Sequence, residues 1–356
     1  MMLRLFIGGF FLITAFCPFF VLGASAGGPG DENEKFQAGD MIMHHILDSH
    51  DWHVLDWKGH AVSIPLPIIL FHEGRGLKVF SSSKFDHGHA THQGYKLVYG
   101  NTTSIEFVNE DGAKNVEETA KIWDFSITKN VFSLIFSIFI LLSVFVTISN
   151  RYKKNQNKAP TGIQSLLEPI VIFVRDDIAK SAIGEKDYKK YLPFLLTVFF
   201  FIFLNNLLGL IPFFPGGANL TGNIAVPLVL AAMVFIITTL SGKKYYWKHI
   251  FAMPGVPKPV LLILTPIEIF GVLLKPLVLM IRLFANITAG HIIILSFFSM
   301  IFIFGEMSAV AGYGVSVFSG LFVLFMMTLE LLVAFLQAYV FTLLAAMYFG
   351  MAVEEH

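Results

Sequence analysis

Between Lys275 and His291 the chain reads Lys-Pro-Leu-Val-Leu-Met-Ile-Arg-Leu-Phe-Ala-Asn-Ile-Thr-Ala-Gly-His, an apolar stretch interrupted by an arginine, an asparagine and a histidine. A guanidinium does not deprotonate in a protein, so Arg282 keeps its charge wherever the fold puts it. Holding that charge at mid-membrane costs roughly 2.5–3.5 kcal/mol on insertion scales. A chain that tolerates this needs a fixed positive charge there. The bland alternative is an arginine that snorkels to a nearby interface, which the apolar sequence on both sides of Arg282 makes awkward.

A second apolar segment carries Glu330 and Gln337. On helices, His291 sits ~13 Å beyond Arg282, and Glu330 ~10 Å before Gln337. Antiparallel packing then lets Arg282 face Gln337 while His291 approaches Glu330. Glu268 lies ~21 Å from Arg282 in the opposite direction. His291 with Glu330 offers titratable groups that can pass protons through a water-filled cleft, and Glu268 offers a carboxylate to a second cleft. A permanent charge between the clefts repels a free proton and attracts a carboxylate from a partner. Asn286 and Gln337 can hold the guanidinium by hydrogen bonds, although either alone is more often interhelical glue. On a straight helix Asn286 shares the face of Arg282 and His291 lies about opposite. Arginine and histidine therefore address different surfaces.

The elements that must position these groups are membrane helices. The 356 residues are 55% hydrophobic and include 38 phenylalanines, which places the chain among polytopic membrane proteins. Formal net charge is zero, so bulk charge makes no case for nucleic-acid binding. Residues 1–26 read as a signal peptide: Arg4, an apolar core from Leu5 to Leu22, and Ala24-Ser25-Ala26. A retained first membrane helix is the alternative. The single cysteine, Cys17, falls in this segment, so no disulfide framework is expected.

Residues 27–128 read as a polar, periplasmic N-terminal region holding nine of the twelve histidines. The run His87-Gly-His89-Ala-Thr-His92 has the composition of a metal-binding tract, though such tracts in solvated loops usually bind nothing specific. A β-hairpin is expected around Gly100-Asn101. Residues 129–356 form the membrane domain. Spans are expected at about Val131–Thr147, Leu192–Phe213 and Ile224–Leu240. Two overlong segments follow, Pro259–Phe304 and Val315–Met351, joined by a connection at Gly305–Gly314. Each must tilt strongly or lie partly along the interface. Pro254, Pro257, Pro259 and Pro266 suit an irregular start and Pro276 a bend. Leu166–Ile183 suits an amphipathic surface helix. Basic loops (Asn150–Lys190, with nine Lys and Arg, and Lys243–Lys258) alternate with loops lacking basic residues. The positive-inside rule therefore puts the N-terminal region outside and the C-terminus in the cytoplasm. The fold class is an all-α polytopic membrane protein with five transmembrane helices, the last two long and tilted, plus a small exported N-terminal region with some β.

Arg282-Leu-Phe-Ala-Asn286-Ile-Thr-Ala-Gly290-His291, together with Glu330 and Leu336-Gln337-Ala338-Tyr339-Val340-Phe341, resembles subunit a of the F-type ATP synthase. So do Asn206-Leu-Leu-Gly-Leu-Ile-Pro212, Asn223-Ile-Ala-Val and the terminal Glu-Glu-His, and the similarity covers about residues 122–356. The resemblance implies that Arg282 stands beside a rotor ring of c subunits and that Gln337 partners it. It implies that His291 and Glu330 belong to the outer half-channel and Glu268 to the inner side. It also implies b subunits of a peripheral stalk as partners, membrane lipid as solvent, an inner-membrane location, and no cofactor or metal. In some bacterial members the acidic and histidine positions are exchanged; here histidine follows the arginine, as in mitochondrial-type members. The long His-rich N-terminal region departs from the short N-terminus of many members.

The chain has no phosphate-binding loop, so it is not expected to hydrolyse ATP itself. One competing reading is a secondary transporter whose intramembrane arginine binds an anion, which predicts inverted repeats and broken helices in both halves. Another is a metal-handling membrane protein, which predicts ligands continuing into the membrane, where only His291 qualifies.

Overall fold

The computed structural model describes residues 38–57, 60–99, 103–109, 111–154, 159–211, 214–251, 253 and 255–354. The signal peptide expected at residues 1–26 lies outside the described residues.

After a short helix α1 (Ala38–Ile46), the N-terminal region is built of strands: β1 (Asp51–Trp57), β2 (His60–Pro65), β3 (Pro67–His72), β4 (Gly76–Ser81), β5 (Thr91–His92), β6 (Tyr95–Val98), β7 (Ser104–Phe107) and β8 (Ile122–Asp124). β1 and β2 pair alone, and two three-stranded antiparallel sheets form in the orders β4-β3-β8 and β5-β6-β7. β6 and β7 make the expected hairpin, with Val98 opposite Ser104; its turn, residues 100–102, lies outside the described residues. The two larger sheets share one core of Ile68, Leu70, Phe85, Tyr95, Leu97, Ile105 and Phe107. Burying each such side chain stabilises by ~1.5–3 kcal/mol. His72 crosses that core fully buried, with Nδ1 2.9 Å from Tyr95 Oη and Nε2 3.2 Å from Glu118. This histidine fastens the fold.

The remainder is helical: α2 (Lys129–Lys154), α3 (Ile163–Phe173), α4 (Tyr188–Leu210), α5 (Ala225–Ser241), α6 (Lys244–Phe251), α7 (Lys258–Met307) and α8 (Ala309–Val353). Apolar surroundings favour this, because every backbone group must be satisfied within the segment. Hydroxyls follow the same rule: Thr197, Thr238, Thr239, Ser296 and Thr328 each donate to the carbonyl four residues back.

Among the described residues, α2, α4, α7 and α8 are long and apolar enough to cross a membrane, and α5 with α6 adds a fifth span if that pair, bent by 103°, counts as one. The five expected spans thus become four to five. α7 has 50 residues and α8 has 45, against the ~20 that cross upright. α7 runs without interruption through Pro266 and Pro276, each of which forfeits one donor.

Two boundaries differ from expectation. The connection expected at Gly305–Gly314 shrinks to Ser308, because the glycines there stay helical. A Cβ on Gly312 would stand 2.8 Å from Gly305 Cα, so the bare glycine at 312 allows the reversal, and Ser308 Oγ accepts from Ala311 N at 3.1 Å to start α8. The helix expected at Leu166–Ile183 starts earlier, at Ile163, and loosens into a π-helical turn over Val174–Lys180.

The chain resolves into two compact units. One comprises the described residues up to Ile135 with Leu208–Leu220 and Thr288–Leu331; the other comprises Phe136–Leu207, Thr221–Ile287 and Leu332 onward. The second unit has its own core, where Leu279 and Leu283 of α7 meet Val198, Phe199 and Ile202 of α4 and Ala338, Phe341, Ala345 and Phe349 of α8. The fully buried alanines of α8 (Ala334, Ala338, Ala345, Ala346, Ala352) are what close packing between membrane helices requires.

Candidate proton-transfer site

In the second unit, the buried stripe of α7 is Leu279-Leu283-Ile287, a spacing of four that keeps one face inward. That register turns Ile281, Arg282, Ala285 and Asn286 to the exposed side. Among the described residues Arg282 makes no hydrogen bond and no ion pair, although a guanidinium has five donors to satisfy. Ala285, about one turn on, is exposed on the same side. Gln337 belongs to the same unit and is 5% exposed, on the buried side of α8. No hydrogen bond joins Gln337 to Arg282 among the described residues. Asn286 shares the exposed face of Arg282, and Glu268 is half-buried, about two turns before Lys275. Lys275 turns inward, with Nζ 5.6 Å from the Tyr348 ring centroid and 4.0 Å from Met351 Sδ.

Asn206, one residue of the Asn-Leu-Leu-Gly-Leu-Ile-Pro motif, is a tie within this unit. It is 4% exposed, donates to the Ala334 carbonyl at 3.4 Å and accepts from Thr221 Oγ1 at 2.8 Å. A polar side chain so placed joins α4 to α8 and to the segment that leads into α5.

In the first unit, α7 and α8 bring His291 Nδ1 to 3.9 Å from Glu330 Oε1. Glu330 is 6% exposed and its Oε2 is buried without a hydrogen-bond partner. A buried carboxyl oxygen lacking a donor is costly until something meets it, so it offers a place for a proton or a water. Gly290 makes the approach possible: a Cβ there would lie 2.8 Å from Glu330 Oε1 and 3.2 Å from its Cδ. Gly209, at the end of α4, brings its backbone close to the other ring nitrogen, since a Cβ there would lie 3.7 Å from His291 Nε2. Thr288 Oγ1 and Ser319 Oγ are further buried oxygens without partners in this unit. At the start of α2, Lys129 and Asn130 are both buried. Asp48 accepts from Asn130 N at 3.0 Å and Thr128 Oγ1 at 2.7 Å, an N-cap supplied from 82 residues away. Trp52 stacks edge-on against both Phe132 and Phe214, at 5.6 and 5.3 Å. The sequence does not single out Asp48 or Lys129, because nothing local relates Asp48 to a helix that begins at Lys129.

Of the histidine tract, two side chains are described. His89 is exposed and His92 packs edge-on against Phe80, while the side chain of His87 lies outside the described residues. Among the described residues no three His, Cys, Asp or Glu side chains converge as metal ligands.

The helices that carry this constellation are similar to those of a known family. The family model described as ATP synthase A chain matches residues 131–350, and a domain of unknown function matches 41–125. The ATP synthase subunit a of Chlorobium phaeobacteroides (strain BS1) is 38% identical over 321 residues, covering 88% of this chain and 76% of that one. That of Chloroherpeton thalassium is 42% identical over 240 residues, covering 66% and 69%. That of Myxococcus xanthus is 39% identical over 235 residues, covering 65% and 74%. With a family match over most of the helical region and relatives of this identity along nearly the whole chain, the protein belongs to the ATP synthase A chain family.

Proposed function

We propose that this chain is the stator proton channel of an F-type ATP synthase, passing protons through two offset half-channels to and from carboxylates of a c-subunit ring. The observation that carries the reading is Arg282: an obligate cation on an exposed face of a membrane helix, with no intrachain ion pair among the described residues. Such a charge is tolerated when a partner supplies the counter-ion. A ring carboxylate arriving deprotonated is that counter-ion, and the same charge repels a proton that would cross without rotating the ring.

Protons reach the ring from the periplasmic side by way of His291 and Glu330, whose 3.9 Å separation suits relay through one water. They leave on the cytoplasmic side past Glu268. Asn286, on the arginine's face, and Gln337 steady the guanidinium once the ring is in place. The chain itself performs no nucleotide chemistry, and the b subunits of the peripheral stalk hold it against the ring's torque. The N-terminal region is periplasmic and the C-terminus cytoplasmic, in the inner membrane.

The test is ATP-driven proton pumping in membrane vesicles carrying Arg282→Ala, with the amount of assembled complex measured alongside. Assembly at the unmodified level with coupled pumping lost is the expected result. Unchanged pumping would remove the arginine from the mechanism.

A further inference from the structure

The sheet β4-β3-β8 has an unusual outer face. Its register sets Leu77 opposite Phe71, and Phe71 opposite Trp123, in one row across three strands. The next row pairs Val79 with Ile69, and Phe125 follows on, its N–H bonded to the Ile69 carbonyl at 2.9 Å. Side chains alternate faces along a strand, so these residues all project to one side, opposite Ile68, Leu70 and His72 in the core. Leu77 is 63% exposed, Val79 61%, Phe71 44%, Trp123 57% and Phe125 63%. Water-facing sheet surfaces normally alternate to polar residues, and a contiguous apolar patch marks an interaction site.

What lies next to the patch identifies its occupant. The chain stays attached to the sheet beyond β8: Ile69 N donates to Ser126 Oγ at 3.1 Å, and Ile127 N to the Pro67 carbonyl at 3.1 Å. Helix α2 begins two residues later, and its apolar residues Val131 and Ile135 are exposed, as lipid-facing residues of a membrane helix are. From Phe125 to Val131 the chain can extend no more than about 22 Å. The patch is thus held within that reach of acyl chains, and its Trp and two Phe are residues suited to the headgroup boundary. Trp123 Nε1 donates to Glu73 Oε1 at 3.4 Å at the rim, which leaves the ring's apolar body outward and its polar tip towards water.

We propose that the β4-β3-β8 face, with Phe71, Leu77, Val79, Trp123 and Phe125, rests on the lipid surface of the membrane, in continuity with the lipid-facing side of α2. The N-terminal region then lies along the bilayer and steadies the start of α2.

The test places a cysteine at Leu77 or, in a second variant, at Val79, and another at the polar turn residue Asp111, in the full assembled complex reconstituted in vesicles of phosphatidylethanolamine and phosphatidylglycerol. Each is labelled with an environment-sensitive fluorophore, with complex lacking the added cysteine as background. At positions 77 and 79 the expected results are blue-shifted emission, strong quenching by a nitroxide carried on the lipid, and weak quenching by iodide. Asp111→Cys should show the reverse. Iodide quenching at all three positions would overturn the proposal in favour of a solvated face. Protection from both quenchers at 77 and 79 would overturn it in favour of a protein partner.

Discussion

Arg282, His291 and Glu330 stand out by residue type alone, because an apolar helix that carries such groups must have a use for them. Gly290 is different. In the sequence it is a glycine within a motif; in the fold its missing side chain is what lets Glu330 Oε1 come so near the α7 backbone. Gly290→Ala inserts a methyl group at 2.8 Å from that oxygen, so the carboxyl beside His291 has to shift. A perturbation of ~1.4 kcal/mol at this pair changes proton occupancy about tenfold. The expected outcome is pumping slowed by about that factor with the complex still assembled, read from initial rates of vesicle acidification. Full-rate pumping would mean that Glu330 relaxes freely and that its distance to His291 is immaterial.

Among the elements, the long α7 and α8 are legible from their apolar lengths, whereas the join between them is not. Glycines at 305, 312 and 314 look like a loop locally, yet all three stay helical, and Gly312 lies close against the backbone of Gly305. The same logic at the far end of α8 yields a prediction. A Cβ on Gly350 would collide with the Ala182 carbonyl oxygen, a backbone atom that cannot swing aside. Gly350→Ala should cost ~1–3 kcal/mol, as overpacking does. It should lower the melting temperature of the purified complex or the amount assembled, while Met351→Ala next to it, at an exposed position, should do neither.

For the molecule as a whole, the N-terminal region has a core of its own and a carboxylate that ties it together. Burial alone would raise Asp124, but hydrogen bonds from His50 Nε2 at 3.1 Å and Ser126 N at 2.8 Å outweigh it and hold the carboxyl below its usual range. A group depressed in the folded state adds stability above its unfolded value and loses it as pH falls through the folded one. Near-ultraviolet circular dichroism of the complex should therefore show this region intact at ~pH 6 and loosening only below the usual carboxylate range. Asp124→Asn should weaken it at neutral pH and flatten the acid response; an unaltered acid transition would show that this pair does not hold the region together.

What the sequence determined by itself was the membrane class, the family resemblance, the identity of the charged and polar positions, and the β-hairpin after Gly94. Apolar run length and the cost of an intramembrane charge act locally along the chain, so they can be read from it. Tertiary structure alone decided that Arg282 faces outward while Gln337 is buried, that Glu330 reaches His291 over a bare glycine, that Asp48 caps α2, and that one sheet face gathers Phe71, Leu77, Val79, Trp123 and Phe125 into an exposed apolar patch. Each of these depends on which residues meet across long separations, and neither helical spacing nor strand alternation specifies the partner against which a face will pack.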